Sequence, residues 1–382
     1  MINTRIILII IPILLSVFMI CYPQSSLAAA RDGITLWYSV LLPALLPFFI
    51  VAEMLASSGF IKIIGRGFEP VMRPLFNLPG CASLVVVMGL ASGFPMGAIL
   101  SRRLYHDGLL TAEETERLAA FTNNSNPLFI IGAVGVGLFG SPFLGYVLAT
   151  GHYLSNLLLG FLLRFKKAPA LQTKYRSEPV PAVGSGFTSV GQLMSSAIKN
   201  SLNNIIAIAG FVILFSVLTR MLIVWGFIDW LAAALTRILS FRSLPSTIAY
   251  GISMGFFEIS IATKAVSQAP HGDILCKILA ISSILAFSGF SVIAQVTGIL
   301  SDTPVRSSFY LLARLAQIAL ALPITLIAYR FLEPLQTVAT MGSGPGQILY
   351  SFDAWNLALW YLLPGLVIMI ALIIAGWAWA RD

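Results

Sequence analysis

Residues 121–132 read Phe-Thr-Asn-Asn-Ser-Asn-Pro-Leu-Phe-Ile-Ile-Gly, and this stretch places five consecutive amide or hydroxyl side chains inside an otherwise apolar segment. Polar groups are costly to bury in hydrocarbon when they lack partners, and the Pro127 that follows them interrupts a helix. The pattern indicates an unwound turn at membrane depth whose side chains hydrogen-bond a substrate or coordinate a cation. The alternative is a solvated loop, because the same residue types also form turns. The candidate site residues here are Thr122, Asn123, Asn124, Ser125 and Asn126.

The composition of the whole chain indicates a membrane protein. Of its 382 residues, 58% are hydrophobic and only 10% are charged, whereas soluble domains carry about a quarter charged residues. Because lipid offers the backbone no hydrogen-bond partners, membrane spans are helices or closed barrels. Long apolar runs without a two-residue alternation exclude the barrel. We therefore predict an all-α polytopic membrane protein.

Ten apolar segments are candidate membrane spans. They are residues 5–24, 35–58, 80–101, 120–140, 142–164, 199–224, 244–263, 277–299, 307–331 and 356–379. Between them, Phe60–Phe76 mixes charged with large apolar residues, which is typical of a helix lying in the membrane interface. Thr111 followed by Glu114 has capping-box spacing and predicts the start of a short helix. The first segment also resembles a signal peptide, but its apolar run is long for a signal core, and we favour an uncleaved helix followed by a short Ala-rich connection.

Loop charge predicts the orientation of the chain. The net charge of +8 is typical of a membrane protein with basic cytoplasmic loops, and nucleic acid is not an expected partner. Residues 165–178 contain three lysines and one arginine, which predicts a cytoplasmic loop. Residues 331–355 contain neither Lys nor Arg, which predicts a loop on the outside.

The chain matches itself at a shift of 166 residues, so that Met88-Gly89 coincides with Met254-Gly255. Equivalent ends of the two copies have opposite loop charge, which predicts an inverted repeat. Such a repeat needs an odd number of crossings in each copy, so we predict that 80–101 and 244–263 are re-entrant hairpins. The chain then has eight transmembrane helices plus two re-entrant hairpins, with both termini cytoplasmic. The alternative is four ordinary crossings per copy in a parallel repeat.

The predicted organisation has five parts. They are an N-terminal transmembrane helix (1–34), a first repeat (35–165), a cytoplasmic linker (166–198), a second repeat (199–331), and an outside loop with a C-terminal transmembrane helix (332–382). Inverted repeats with broken helices are typical of secondary carriers, whose substrate site lies at mid-membrane where the repeats meet.

Both predicted hairpins carry candidate substrate-binding residues. In the first, Pro breaks the helix and Gly permits a sharp reversal, which exposes backbone polar groups to a ligand; the alternative is a kinked helix whose glycines pack closely. In the second, a carboxylate in an apolar segment indicates function, and Glu258 accepts a substrate N–H, binds a proton or pairs with Lys264. The alternative for this pair is a structural ion pair. The candidates in the first copy are Ser92, Gly93, Phe94, Pro95 and Gly97, and those in the second are Glu258, Ser260, Lys264, Ser288 and Ser291.

Enzyme chemistry is not expected. The chain contains no phosphate-binding Gly-x-x-x-x-Gly-Lys-Ser/Thr segment, which argues against transport driven by ATP hydrolysis within this chain. Its three cysteines have neither metal-ligand nor disulfide spacing. We therefore expect no catalytic residues, no metal and no cofactor, and the identity of any coupling ion is open.

Five motifs carry a resemblance to a known family. They are Trp37–Phe49, Glu69–Phe76, Pro79–Cys81, Met88–Gly97 and Thr122–Gly132. Together they resemble the YlbJ family of sporulation integral membrane proteins, also called stage V sporulation protein V. That family belongs with the nucleoside-recognition gate proteins, relatives of concentrative nucleoside transporters. The resemblance covers about residues 30–335 and is strongest in 40–165.

The resemblance implies a transporter in the outer forespore membrane of a spore-forming bacterium that passes dipicolinic acid by secondary or passive transport. Dipicolinate is a planar dianion, and side-chain donors of 122–126, helix N-termini, and Lys264 or Arg102 suit its carboxylates. Glu258 suits a nucleobase better. The alternatives are an ion-coupled carrier of nucleosides or other metabolites, and a non-transporting membrane scaffold of sporulation. The expected partners are a small-molecule substrate and the lipid bilayer, with a homo-oligomer left open.

Overall fold

The computed structural model of the chain describes residues 4–58, 60–166, 189–239 and 244–341. Within these ranges the secondary structure is helical throughout and contains no strand, which confirms the all-α prediction. The α-helices are α1 (Thr4–Cys21), α2 (Pro23–Leu36), α3 (Leu42–Ser57), α4 (Phe60–Phe76), α5 (Ser83–Ser92), α6 (Met96–His106), α7 (Ala112–Thr122), α8 (Pro142–Leu163), α9 (Val190–Val224), α10 (Phe227–Ile238), α11 (Ser246–Gly255), α12 (Ile259–Ser267), α13 (Ile274–Phe287), α14 (Gly289–Ile299) and α15 (Ser307–Met341). Two π-helical segments, Trp37–Leu41 and Leu128–Leu138, and a short 3-10 turn at Gly80–Ala82 complete the described helices.

The described helices account for part of the predicted set of spans. By length and composition, four stretches are able to cross a membrane, namely 142–163, 190–224, 274–299 and 307–332. The number rises to six if each of two bent helix pairs counts as one span. The predicted span 356–379 lies outside the described residues.

The N-terminal region differs from its prediction. The predicted Ala-rich connection after residue 24 is instead helix α2, which turns by 111° from α1 at Tyr22. Pro23 stands at the first position of α2, where its missing N–H leaves no hydrogen bond unmade. Ala-rich sequence has high helix propensity, which explains why this stretch continues as a helix.

Two local predictions are confirmed by the helix boundaries. The mixed segment Phe60–Phe76 is helix α4 from end to end. Helix α7 starts at the predicted capping box, in which the Thr111 side chain accepts from the Glu114 N–H and the Glu114 carboxylate accepts from the Thr111 N–H. Two backbone donors that a helix start would otherwise leave unpaired are thereby satisfied.

Helices α5 and α6 form a first hairpin that reverses at Gly93–Pro95. Gly93 has a φ of 84°, and a Cβ placed there would lie 2.7 Å from the Cβ of Asn126. A side chain is therefore disfavoured at this position both by the backbone conformation and by the space available. The two ends of the hairpin lie together, since the thiol of Cys81 before α5 is 3.9 Å from the carbonyl oxygen of Leu109 after α6.

Helices α11 and α12 form a second hairpin that reverses at Phe256–Glu258. Gly251 on the first arm packs against Val266 on the second. Gly272, just after the second arm, lies against Ile248 near the start of the first. The two ends of this hairpin therefore also lie close together.

Each hairpin tip is hydrogen-bonded to a break in the helices that follow it. Helix α7 stops at Thr122, and the Phe94 N–H donates to the carbonyl oxygen of Asn124 in the break at 2.6 Å. Helix α13 stops before Ser288, and the N–H of Phe290 just beyond it donates to the carbonyl oxygen of Phe256 at 2.7 Å. The backbone groups that the breaks free are thus partly satisfied by the hairpin tips.

Charged residues connect several helix ends on one side of the molecule. Glu116 near the start of α7 forms ion pairs with Lys166 after α8 at 2.7 Å and with Arg306 before α15 at 2.8 Å. Burial alone would raise the pKa of Glu116, but hydrogen bonds from Arg306 and Lys166 hold that pKa down at about 2. We call this side the Lys166 face.

Candidate functional site

A cavity lies where the two hairpin tips meet the two helix breaks. Its volume is about 50 Å³, which is room for roughly three or four waters. Its polar lining consists of Asn126, Glu258, Ser260, Ser291 and Gln295. Its apolar lining consists of Leu36, Leu41, Leu45, Phe94, Leu128, Phe129, Ile208, Val212, Ile259 and Val292. The few convergent polar groups among apolar walls are the usual composition of a small-molecule site.

Glu258 is the ionisable group of the cavity. Its side chain is buried, and its carboxylate accepts a hydrogen bond from the Ile261 N–H at 2.7 Å, which caps the N-terminus of α12. The positive end of the helix dipole stabilises a carboxylate in this position. None of the ion pairs within the described ranges includes Glu258.

The structure does not bring Lys264 to the cavity. Lys264 is exposed and does not line the cavity. Glu258 is the N-cap of α12 and Lys264 lies in its last turn, so the two residues stand near opposite ends of this helix. Arg102 is not a cavity residue either, because it forms an ion pair with Asp302 at the Lys166 face.

Gln295 is the cavity residue that the sequence reasoning missed. It is buried on α14, where its amide nitrogen donates to the Ser291 hydroxyl at 3.4 Å. Its amide oxygen is buried and has no hydrogen-bond partner in the described part of the chain. A buried acceptor without a partner at the wall of a cavity is available to a donor on a ligand. The sequence feature that could have identified Gln295 is an amide side chain one helical turn after Ser291 in an otherwise apolar segment.

The polar stretch 122–126 contributes mainly to the break itself, and only Asn126 lines the cavity. The side chain of Asn123 donates to the Ala119 carbonyl oxygen at 2.8 Å and accepts from the Ala98 N–H at 2.9 Å. The Thr122 hydroxyl donates to the Leu118 carbonyl oxygen at 2.8 Å. These side chains replace the backbone partners that the helix lost, so their first role is to stabilise the unwound turn.

Two side chains of helix α8 form hydrogen bonds with the backbone of the same turn. The Ser125 N–H donates to Nε2 of His152 at 3.0 Å, and the Ser125 carbonyl oxygen accepts from the Tyr153 hydroxyl at 2.8 Å. The Ser125 hydroxyl and the Asn124 amide oxygen are buried and have no partner in the described ranges. Both atoms are acceptors that the turn leaves available.

The remaining predicted residues shape the hairpins and breaks. Gly97 lies against Thr122, where a Cβ would come within 2.6 Å of the Thr122 carbonyl oxygen. The Ser92 hydroxyl donates to the Met88 carbonyl oxygen at 2.7 Å, and the Ser288 hydroxyl donates to that of Leu285 at 3.2 Å. The residues that the structure brings together at the cavity are therefore Phe94, Asn126, Glu258, Ser260 and Ser291, while Ser92, Gly93, Pro95, Gly97, Thr122, Asn123, Asn124, Ser125 and Ser288 lie outside its lining.

A fully buried arginine, also missed, supports the first break. Arg314 on α15 donates to the carbonyl oxygens of Ala120 and Asn123 at the C-terminal end of α7, the latter at 3.4 Å. It also lies 3.4 Å from the amide oxygen of Asn156 on α8. A cation at a helix C-terminus is favourable because the free carbonyls there carry partial negative charge. Arg314 therefore joins the last helix of the second predicted repeat to the break in the first.

Comparisons with known proteins relate the chain to a family model and to other bacterial proteins. Residues 38–208 match the family model described as "Gate: Nucleoside recognition". The chain is 37% identical over 362 residues to the sporulation integral membrane protein YlbJ of Bacillus subtilis, which covers 90% of this chain and 88% of that protein. It is 29% identical over 129 residues to an uncharacterised protein of Alkalihalophilus pseudofirmus, covering 32% of this chain and 28% of that protein. No solved structure matches it.

Proposed function

The chain belongs to the family of the sporulation integral membrane protein YlbJ, and on that premise we propose that it carries a small polar solute across a bacterial membrane. The observation that carries the proposal is the cavity at which two hairpin tips and two helix breaks converge. Broken helices that meet around a site at mid-membrane are the usual construction of secondary transporters. The nucleoside-recognition family match over 38–208 supports the same function.

We propose further that the two halves are an inverted repeat, with eight transmembrane helices, two re-entrant hairpins and the Lys166 face in the cytoplasm. At the 166-residue shift, the hairpin of α5 and α6 overlaps the hairpin of α11 and α12, and each hairpin tip is hydrogen-bonded to the helix break that follows it. The lysine-rich sequence after residue 165 supports the cytoplasmic assignment.

The chemistry of the cavity favours a solute that carries N–H or O–H donors. The Glu258 carboxylate and the free amide oxygen of Gln295 both accept hydrogen bonds. Phe94 and Phe129 supply aromatic surface on which a planar ring packs. A nucleoside combines hydroxyl donors with such a ring. The cavity volume is only about 50 Å³, whereas sites for drug-sized ligands are several hundred Å³. Binding of a nucleoside therefore requires that the cavity widen.

Dipicolinate is the second candidate. The N-terminal ends of α12 and α14 reach the cavity at Ser260 and Ser291, and helix N-termini favour anions. A dianion next to Glu258 is unfavourable unless that carboxyl is protonated. This candidate therefore requires that solute and proton bind together.

The test is uptake of labelled solute by proteoliposomes that contain the purified protein. Uridine and dipicolinate are compared, each with and without a sodium or proton gradient. We expect uptake above that of empty liposomes for at least one of them. Uptake of neither would favour the scaffold alternative and contradict transport.

Two variants test whether uptake depends on the cavity. Glu258→Gln removes the charge, and uptake of a donor-bearing solute should fall on the order of 10- to 100-fold, the value of a hydrogen bond to a charged group. The matched control is Gln268→Leu, which changes an exposed side chain outside the cavity. Equal uptake by Glu258→Gln and the control would exclude Glu258 from the binding site. If Glu258→Gln instead increases dipicolinate uptake, the second candidate is favoured.

A further inference from the structure

A second cavity of about 290 Å³ lies between α6, α9 and α14 on the way to the Lys166 face. Its lining is mainly polar and includes Arg102 on α6, Asn204 on α9, and Ser301 and Asp302 just beyond α14. It contains none of the residues that line the first cavity.

The two cavities follow one another along the same pair of helices. On α9, Asn204 of the second cavity is four residues from Ile208 of the first. On α14, Gly298 of the second is three residues from Gln295 of the first. Four residues of helix advance by about 6 Å, so about one helical turn separates the lining residues of the two cavities along α9 and α14.

The ion pair between Arg102 and Asp302 lines the second cavity and connects the two halves of the chain. Nε of Arg102 lies 2.8 Å and 2.9 Å from the two carboxylate oxygens of Asp302, and its Nη2 also bonds that carboxylate. Nε2 of His106 is 3.2 Å from the same group. Hydrogen bonds from Arg102 hold the pKa of Asp302 down at about 2, so its carboxylate stays charged at physiological pH. Such bidentate pairs are directional contacts that close when their helices approach.

The positions equivalent to this pair carry no ion pair. At the 166-residue shift, Arg102 corresponds to Gln268 and Asp302 to Val136. Both of these side chains are exposed and neither is charged. The contact between Arg102 and Asp302 therefore has no counterpart at the equivalent positions.

We propose that the second cavity is the mouth of the solute path on the Lys166 face and that the Arg102–Asp302 pair is its gate. The inference rests on the proposed transport function. In the described conformation the pair is closed, and solute exchange with the Lys166 face requires that α6 and the end of α14 separate. Exposed ion pairs change an equilibrium by only about two- to fivefold, so this contact is weak enough to open in each cycle.

The test measures access to the first cavity without requiring transport. A cysteine is introduced as Ile208→Cys after the native Cys21, Cys81 and Cys276 are replaced by serine. Inside-out vesicles expose the Lys166 face to a membrane-impermeant maleimide. Arg102→Ala and Asp302→Ala should each raise the labelling rate about two- to fivefold. The reversed pair Arg102→Asp with Asp302→Arg should return the rate toward that of the parent.

Asp107→Asn is the control, because it removes a carboxylate of the same face that is outside the pair, 3.9 Å from Arg103. It should leave the labelling rate unchanged. Equal rates in all variants, or a reversed pair that labels as fast as the single variants, would overturn the gate. Solute uptake by the parent protein separates the two proposals. If the labelling rates change in the Arg102 and Asp302 variants as expected but the parent takes up no solute, transport alone is refuted. If the parent takes up solute but the labelling rates do not change, the gate alone is refuted.

Discussion

Replacing Arg314 with methionine should strongly destabilise the protein, because three acceptors around one break depend on this guanidinium. They are the carbonyl oxygens of Ala120 and Asn123 and the amide oxygen of Asn156. Hydrogen bonds within membrane proteins average about 0.6 kcal/mol, and those in proteins generally reach about 1.5 kcal/mol. Three such contacts therefore contribute about 2–4.5 kcal/mol.

The assay is the thermal midpoint of the purified protein in detergent, measured as the temperature at which half of the monodisperse peak in size-exclusion chromatography is lost. Arg330→Met is the matched control, since Arg330 lies on the same helix and is exposed. Arg314→Lys should give an intermediate value, because a lysine reaches fewer acceptors at once. If Arg314→Met melts within a degree or two of the control, the break does not depend on this cation and the reasoning is wrong.

Three further predictions follow from single contacts. Gly93→Ala should reduce the stability of the folded protein by about 1–3 kcal/mol, because φ is 84° and ψ is −173° at this position. The control Gly210→Ala in α9, where no atom lies near the added Cβ, should be neutral or slightly stabilising. The thermal midpoints of the two variants are compared with that of the parent. Gln295→Leu should reduce uptake about 2- to 10-fold by removing one neutral acceptor from the cavity, and unchanged uptake would mean that the solute does not contact α14. The lowered pKa of Glu116 stabilises the folded state at pH values above the usual pKa of a glutamate, and this contribution is lost as the pH falls toward about 2. The melting temperature, measured from pH 8 to pH 3, should therefore fall more steeply at the acid end for the parent than for Glu116→Gln.

The features that the sequence predicted correctly depend on neighbouring residues. The capping box at Thr111 and the reversal at Gly93–Pro95 follow from backbone rules that operate within a few positions. The broken helix around 122–126 follows from the cost of polar groups in an apolar segment. These rules predict where a helix stops, and the structure places the stops as predicted.

The features that the sequence did not predict depend on the direction in which a side chain points. A run of five polar residues indicates a site, yet only Asn126 faces the cavity, because the others satisfy the backbone that the break exposes. Arg314 and Gln295 are single polar residues in long apolar helices, and only the packing of those helices brings them to the breaks. Lys264 lies outside the cavity because it stands in the last turn of α12, whereas Glu258 caps the first turn.

The most direct test of the central claim is whether solute protects the cavity from chemical modification. With Ser291→Cys as the reporter in the cysteine-replaced protein, saturating uridine or dipicolinate should slow maleimide labelling. The exposed Gln268→Cys should label at the same rate with or without either compound. Labelling of Ser291→Cys that neither compound slows would contradict the assignment of this cavity as the solute site.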